Sequence, residues 1–245
     1  MAIFSSKVSV QVPTESLWDY ILGAEEQTRS SAPIIFGVDD PGELHLSAAE
    51  VAMHARRFAE TLTALGVRPK DRILFVYPAS IYSAAFFLAI NLVGATFIPL
   101  SAEITLAELQ VIFEHSKPSA IIFQPGGVDL GKELGVSSEC ALPLLLCLDS
   151  STSLPKLYRH APGDKIIERR SEPNVGAQST RTASSPCLIL YTSGTSGKPK
   201  GWMYSEETLL AGTVHLTHGR QPTKLTCTNS FGELRAGAEA TAHDR

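Results

Sequence analysis

The sequence predicts an α/β fold in which helices form layers on a mostly parallel sheet. Segments with apolar residues at helical spacing alternate with short apolar runs of strand length, and two of the helical segments open with a capping box. Such alternation is typical of parallel sheets, because neighbouring parallel strands need a long crossover connection, usually a helix. With 245 residues, 44% of them hydrophobic, the chain can bury a sizeable core. We expect one principal domain.

The first predicted helix begins at Ser47, where Ser47 and Glu50 have the spacing of a capping box. Apolar residues then recur at helical spacing until Gly66 interrupts the pattern. They are Val51, Ala55, Phe58, Leu62 and Leu65. A polar turn over residues 66–72 follows, and the apolar run at residues 73–77 predicts a buried strand.

Residues 79–100 contain no charged side chain, and this length alone would permit a membrane span. However, Asn91, Gly94 and Pro99 interrupt the run, and residues 95–98 favour a strand. We therefore expect a buried helix from about Ser80 to Val93, followed by a strand, rather than a transmembrane helix.

A second capping box, Thr105 with Glu108, predicts a helix that ends near His115. Residues 120–123 and 142–148 are short apolar runs that predict two more strands. From Asp149 to Pro186 the chain is rich in serine, proline and charged residues, and we expect a surface excursion there.

The segment from Leu188 to Gly201 begins as an apolar strand and continues into a loop of hydroxyls and glycines. Gly194 and Gly197 permit a tight turn that brings backbone amides close to an anion. Hydroxyl side chains and lysines add donors and positive charge. This pattern predicts a phosphate-binding loop. It differs from the common P-loop, because Pro199 follows Gly197-Lys198 where that motif has its magnesium-binding hydroxyl. A solvated linker would not require the preceding strand or the Pro-Lys-Gly ending.

Residues 191–201, Tyr-Thr-Ser-Gly-Thr-Ser-Gly-Lys-Pro-Lys-Gly, resemble the signature of the adenylate-forming superfamily of acyl-CoA synthetases, 4-coumarate-CoA ligases, luciferases and peptide-synthetase adenylation domains. Residues 86–100 resemble a second block of that superfamily. The resemblance implies ATP-dependent activation of a small-molecule carboxylic acid as an acyl-adenylate, followed by transfer to coenzyme A, with Mg²⁺ on the nucleotide phosphates. The phosphate contacts that it implies are Thr192, Ser193, Gly194, Thr195, Ser196, Gly197 and Lys200. We expect Tyr191 to pack under the loop and Lys198 to face solvent. Catalytic residues remain unassigned, and no metal ligand is predicted.

After the loop, residues 202–204 predict a strand, and Ser205 followed by two glutamates predicts a helix start. The apolar pattern continues to Val214, whereas residues 215–245 carry few large apolar side chains. We expect an incomplete AMP-binding N-terminal domain over residues 1–214 and a poorly ordered tail over residues 215–245. The resemblance covers about residues 15–214, and the family's later motifs have no match, so a truncated member is expected.

Two alternatives to an acyl-CoA or aryl-CoA ligase stay open. One is an amino-acid adenylation module. The other is a catalytically inactive fragment that at most binds nucleotide or pairs with a partner chain that supplies missing segments.

Composition excludes several other classes. A net charge of −4 with no basic block argues against a nucleic-acid partner. The four cysteines and seven histidines show no zinc spacing, and Cys147 and Cys187 lie in predicted strands as small apolar residues. The N-terminus lacks the apolar region of a signal peptide. We expect a cytoplasmic protein, with a peroxisomal location open for a full-length relative.

Overall fold

The computed structural model describes residues 16, 18, 33–39, 42–78, 80–124, 133–134, 144–149, 156–159, 182–192 and 199–218. The strands are β1 (Pro33–Asp39), β2 (Gly42–Ser47), β3 (Arg72–Val76), β4 (Thr96–Leu100), β5 (Ala120–Phe123), β6 (Leu144–Asp149), β7 (Lys156–Arg159), β8 (Pro186–Thr192) and β9 (Lys200–Ser205). The helices are α1 (Ala48–Leu65), α2 (Ser83–Val93), α3 (Leu106–Ser116) and α4 (Glu206–His218).

β1 and β2 form an antiparallel pair, and the other strands form a seven-stranded sheet in the order β7-β6-β5-β3-β4-β8-β9. The central strands are parallel: β3 pairs with β4 and β5, β5 with β6, and β4 with β8. β7 and β9 add antiparallel edges. The predicted α/β class with a mostly parallel sheet is confirmed.

Both predicted capping boxes are present. Ser47 Oγ accepts from the Glu50 amide, and Glu50 Oε2 accepts in return from the Ser47 amide at 2.8 Å. Thr105 and Glu108 form the same reciprocal pair at the start of α3. Gly66 ends α1 in the left-handed region, at φ 110°, where a side chain would be strained. The hydrogen bonds from Ser47 hold the pKa of the Glu50 carboxyl below its ordinary value.

The strands alternate their side chains between two apolar layers. On one face, Ile73, Phe75, Phe97 and Ile122 pack against α1 and α2. On the other face, the intervening residues pack against α3, and they include Leu74, Val76, Ile98, Ile121 and Phe123. Helices cover both faces of the central strands, and for this reason the strands are continuous apolar runs in the sequence.

Several boundaries differ from the predictions. α2 begins at Ser83 rather than Ser80, because residues 81–82 form a turn closed by the hydrogen bond from the Ser83 amide to the Ser80 carbonyl. β4 continues through Pro99 to Leu100. In its described part, the expected excursion after Asp149 includes a strand, β7, whose Leu157 is buried in the first apolar layer.

The uncharged stretch over residues 79–100 forms α2 and β4, as the helix-and-strand interpretation predicted. Among the described helices, none combines the length and apolar character that a bilayer crossing requires.

Candidate phosphate-loop site

The candidate site begins with β8, which lies beside the central parallel strands. Phe97 of β4 and Leu188 of β8 are parallel partners, and Thr96 Oγ1 donates to the Pro186 carbonyl at 3.0 Å. Cys187 is fully buried, and its Sγ contacts the Tyr204 carbonyl at 3.2 Å. β8 therefore runs in the same direction as β3, β4 and β5. Thr192, the last residue of β8, lies on the side of the sheet where the parallel strands have their carboxyl ends. In open α/β sheets, ligands bind on this side.

β9 returns antiparallel to β8 and closes the loop. The register pairs Tyr191 with Gly201 and Thr192 with Lys200, so these two pairs form the base of a strand-loop-strand hairpin. The side chains of Thr192 and Lys200 are both exposed. The structure thus brings the first and last residues of the predicted phosphate set next to each other across two paired strands.

The middle of the predicted set falls outside the described residues. Ser193, Gly194, Thr195, Ser196 and Gly197 belong to this group, as does Lys198. Their proposed phosphate contacts therefore remain sequence-based predictions, whereas the backbone positions of Thr192 and Lys200 are structural observations.

The Tyr191 side chain lies against Gly201 of β9, whereas the loop under which we expected it to pack lies outside the described residues. A Cβ atom built on Gly201 would lie 3.0 Å from Tyr191 Cζ and 3.2 Å from Ile189 Cγ2, so the ring covers the Gly201 backbone. Glycine is needed at position 201 for this close approach. Burial raises the pKa of the Tyr191 phenol above its ordinary value.

The Tyr191 hydroxyl has a partner that the sequence did not reveal. Its oxygen lies 2.6 Å from His115 Nδ1, and which atom donates depends on the imidazole tautomer. The two rings meet edge to face, with centroids 5.8 Å apart. These residues are 76 positions apart in the chain, and neither spacing nor composition signals the pair.

The hairpin leads directly into α4. Ser205 Oγ accepts from the Thr208 amide at 3.2 Å, and Glu206 and Glu207 occupy the first turn of the helix. The predicted helix start is confirmed, and α4 extends to His218, beyond the expected limit of the apolar pattern at Val214.

Among the other histidines, His54 has a packing role. His54 is buried and lies edge to face against Tyr82, at a centroid distance of 5.1 Å. No three His, Cys, Asp or Glu residues among those described lie close enough together to hold a metal ion. Cys147 lies in β6, with its side chain outside the described set.

Comparison with known families identifies the class of protein. The family model described as AMP-binding enzyme matches residues 24–231, which is most of the chain. The chain belongs to the AMP-binding enzyme family. This confirms the resemblance found in the sequence, and the match extends past Val214.

Relatives in the AMP-binding family include both peptide-synthetase and CoA-ligase proteins. The chain is 30% identical over 189 residues to the hybrid PKS-NRPS synthetase gkaA of Penicillium citrinum, covering 76% of this chain and 4% of that protein. It is 27% identical over 191 residues to acetyl-coenzyme A synthetase of Ralstonia nicotianae, covering 74% of this chain and 29% of the relative.

The fold also matches solved structures of this family. A benzoate CoA ligase from Burkholderia xenovorans superposes with a TM-score of 0.56 at 20% identity, covering 78% of this chain and 35% of that one. At this identity the likeness shows the fold alone. The chain therefore spans about a third or less of the length of these relatives.

Proposed function

We propose that this chain carries the polyphosphate-binding part of an enzyme that uses ATP to convert a carboxylic acid into an acyl-adenylate. The main support is the hairpin that pairs Thr192 with Lys200 at the carboxyl edge of a mostly parallel sheet, in a member of the AMP-binding family. This hairpin holds the two ends of a loop whose sequence is rich in glycine and hydroxyl groups.

The proposed reaction begins with attack of the acid's carboxylate oxygen on the α-phosphorus of ATP. The new O–P bond forms as the bond from that phosphorus to the bridging oxygen breaks, and the electron pair leaves with pyrophosphate. Thr192, the loop hydroxyls and Lys200 would hold the β- and γ-phosphates in line and offset the charge that develops on pyrophosphate. Bound Mg²⁺ would neutralise part of the same charge, coordinated mainly by nucleotide oxygens and water.

For the second half of the reaction we propose a thiol acceptor, coenzyme A. The similarity to the acetyl-coenzyme A synthetase of R. nicotianae, an enzyme named for coenzyme A, supports this choice. The similarity to a hybrid PKS-NRPS synthetase supports a second candidate, an amino-acid adenylation module. The two candidates share the adenylation step and differ in the acid and in the acceptor.

Acid-dependent exchange of labelled pyrophosphate into ATP tests the adenylation step. The purified chain is incubated with Mg²⁺-ATP, labelled pyrophosphate and, separately, short fatty acids, long fatty acids, aryl acids and amino acids. Exchange with a fatty or aryl acid supports the ligase, and exchange restricted to amino acids supports the adenylation module. ATP binding without exchange for any acid would contradict catalysis by this chain and support the inactive nucleotide-binding alternative.

Replacement of Lys200 tests the site itself. Because Lys200 is exposed at the hairpin base and carries the charge closest to Thr192 in the β8–β9 register, we expect Lys200→Ala to weaken Mg²⁺-ATP binding about tenfold or more. Lys70→Asn is the matched control. It removes an equal charge from the exposed turn before β3, at the amino end of the parallel strands, and asparagine tolerates the left-handed φ of 72° there. If the two variants weaken Mg²⁺-ATP binding equally, Lys200 is not part of the site.

A further inference from the structure

The His115–Tyr191 contact joins a helix of the buried core to the hairpin of the candidate site. His115 lies in the last turn of α3, and the bond from its Nδ1 to the Tyr191 hydroxyl is 2.6 Å long. Tyr191 is half-buried, and it packs against the apolar layer that also contains Ile189. The phenol is therefore held at both ends, by apolar packing along its ring and by the imidazole at its oxygen.

The helix end of this connection is rigid. Leu109, Ile112 and Phe113 of α3 are buried in the second apolar layer with Leu74 and Ile121 of the central strands. The amide of Lys117 donates to the Phe113 carbonyl at 2.8 Å and closes the last turn of the helix. The backbone of His115 is thus fixed relative to the sheet.

The hairpin end of the connection lies at the edge of the described sheet, where β9 is paired with β8 on one side only. β9 is the last strand of the sheet, and its Trp202 and Met203 side chains are 61% and 69% exposed. The Tyr191 ring fits under the Gly201 backbone so closely that even a methyl group there would touch it. The ring therefore lies directly against Gly201, next to the Thr192–Lys200 pair.

We propose that His115 is a positioning residue for the phosphate loop: by holding the Tyr191 phenol under Gly201, it fixes Thr192 and Lys200 relative to the sheet. This inference rests on the proposed function, since it assigns His115 to the polyphosphate site described above. His115 acts through Tyr191 and contacts no nucleotide itself.

Binding of Mg²⁺-ATP to a double-mutant cycle tests the proposal. Loss of one hydrogen bond corresponds to binding that is about three- to tenfold weaker, and we expect this for His115→Ala and for Tyr191→Phe. The double variant should bind no more weakly than either single variant, because both changes remove the same bond. Additive losses would overturn the proposal.

A conservative variant separates positioning from simple destabilisation. In His115→Asn the amide can reach the place of Nδ1, so we expect ATP binding close to that of the unaltered chain. Glu114→Ala, which removes an exposed neighbour on the same helix, is the matched control and should leave ATP binding unchanged. If His115→Asn binds ATP as weakly as His115→Ala, the hydrogen bond is not the cause and the proposal fails.

Amide hydrogen exchange tests the positioning in the absence of nucleotide. We expect His115→Ala to speed exchange at residues 200–204 about three- to tenfold, with β3 and β5 unchanged. Unchanged exchange in the hairpin, or equal acceleration throughout the sheet, would overturn the proposal. If the unaltered chain binds no ATP, the proposed function fails for this chain, while the exchange measurement still decides whether His115 positions the hairpin.

Discussion

The centre of the sheet and its β8–β9 edge are supported very differently. Strands β3 and β5 are buried on both faces, between α1 and α2 on one side and α3 on the other. At the edge, β9 exposes Trp202 and Met203 and pairs with β8. The centre is packed by apolar residues on both faces, whereas β9 at the edge is paired on one side only.

Because of this difference, the centre of the sheet mainly provides stability, whereas the β8–β9 edge carries the proposed binding site. Apolar burial at the centre contributes strongly to the folding free energy. The loop that is proposed to bind phosphate connects β8 to β9, the last strand of the sheet. Segments that bind a ligand are commonly packed incompletely, because a fully packed edge would leave no room for the ligand. The fine positioning at the edge then depends on single contacts such as His115 with Tyr191.

The largest expected effect comes from the centre. Phe86 is fully buried on α2, with its ring stacked on Phe58 at a centroid distance of 4.0 Å and 5.1 Å from Phe75. Phe86→Ala leaves a cavity among these rings, and we expect it to lower the free energy of unfolding by about 3–5 kcal/mol. Chemical denaturation followed by circular dichroism measures this loss.

The control for Phe86→Ala is Met53→Ala, which removes an apolar side chain that is 52% exposed on α1. We expect a change within about 0.5 kcal/mol. Similar losses in both variants would mean that burial at the centre does not dominate stability, and the contrast between centre and edge would be wrong.

An intermediate effect is expected at the edge. In Gly201→Ala the new methyl group meets the Tyr191 ring at 3.0 Å, and the ring cannot retreat freely while its oxygen is bonded to His115. We expect a loss of about 1–2 kcal/mol in the free energy of unfolding, with weaker ATP binding. Thermal unfolding and ATP titration provide the two measurements.

Gly212→Ala is the matched control, because it makes the same chemical change on α4, where the new Cβ would meet no atom within 4 Å apart from the two chain neighbours and the helix's own backbone. Alanine has the higher helix propensity, so this variant should gain up to about 1 kcal/mol. If both variants shift the free energy of unfolding in the same direction, the contact with Tyr191 is not what requires glycine at position 201.

The smallest effect concerns pH. Burial lowers the pKa of His54 from its ordinary value of 6.5, and the charge of Arg57 acts in the same direction. The unfolded chain therefore binds a proton at a higher pH than the folded chain, so the stability contributed by neutral His54 is present above pH 6.5 and decreases as pH falls through the lower folded pKa. We expect the free energy of unfolding to decrease between pH 7 and pH 5. The part of this decrease that comes from protonation of His54 should be absent in His54→Leu.

For this comparison, His45→Leu controls for the loss of one imidazole, since His45 is exposed on β2. The free energy of unfolding is measured at several pH values for the unaltered chain and both variants. A fall of the same size in His54→Leu and in the unaltered chain would show that His54 is not its source.

Local patterns determined much of the fold. Both capping boxes were predicted from four-residue motifs, and the glycine at the end of α1 was predicted from the break in helical spacing. These features depend on hydrogen bonds and backbone angles within one turn, so neighbouring residues suffice to specify them. Strand β5 was predicted at its observed bounds, because a four-residue apolar run between polar residues has few other places to be buried.

The tertiary structure decided what depends on distant partners. Strand β7 was missed, because the pairing of Lys156–Arg159 with β6 and the burial of Leu157 under α1 leave only a faint local pattern. For the candidate site, the sequence determined the residue types of the phosphate loop and the family to which they belong. The fold alone placed Thr192 opposite Lys200 at the carboxyl edge and brought His115 to Tyr191, since contacts between distant segments arise only when the sheet and its helices pack together.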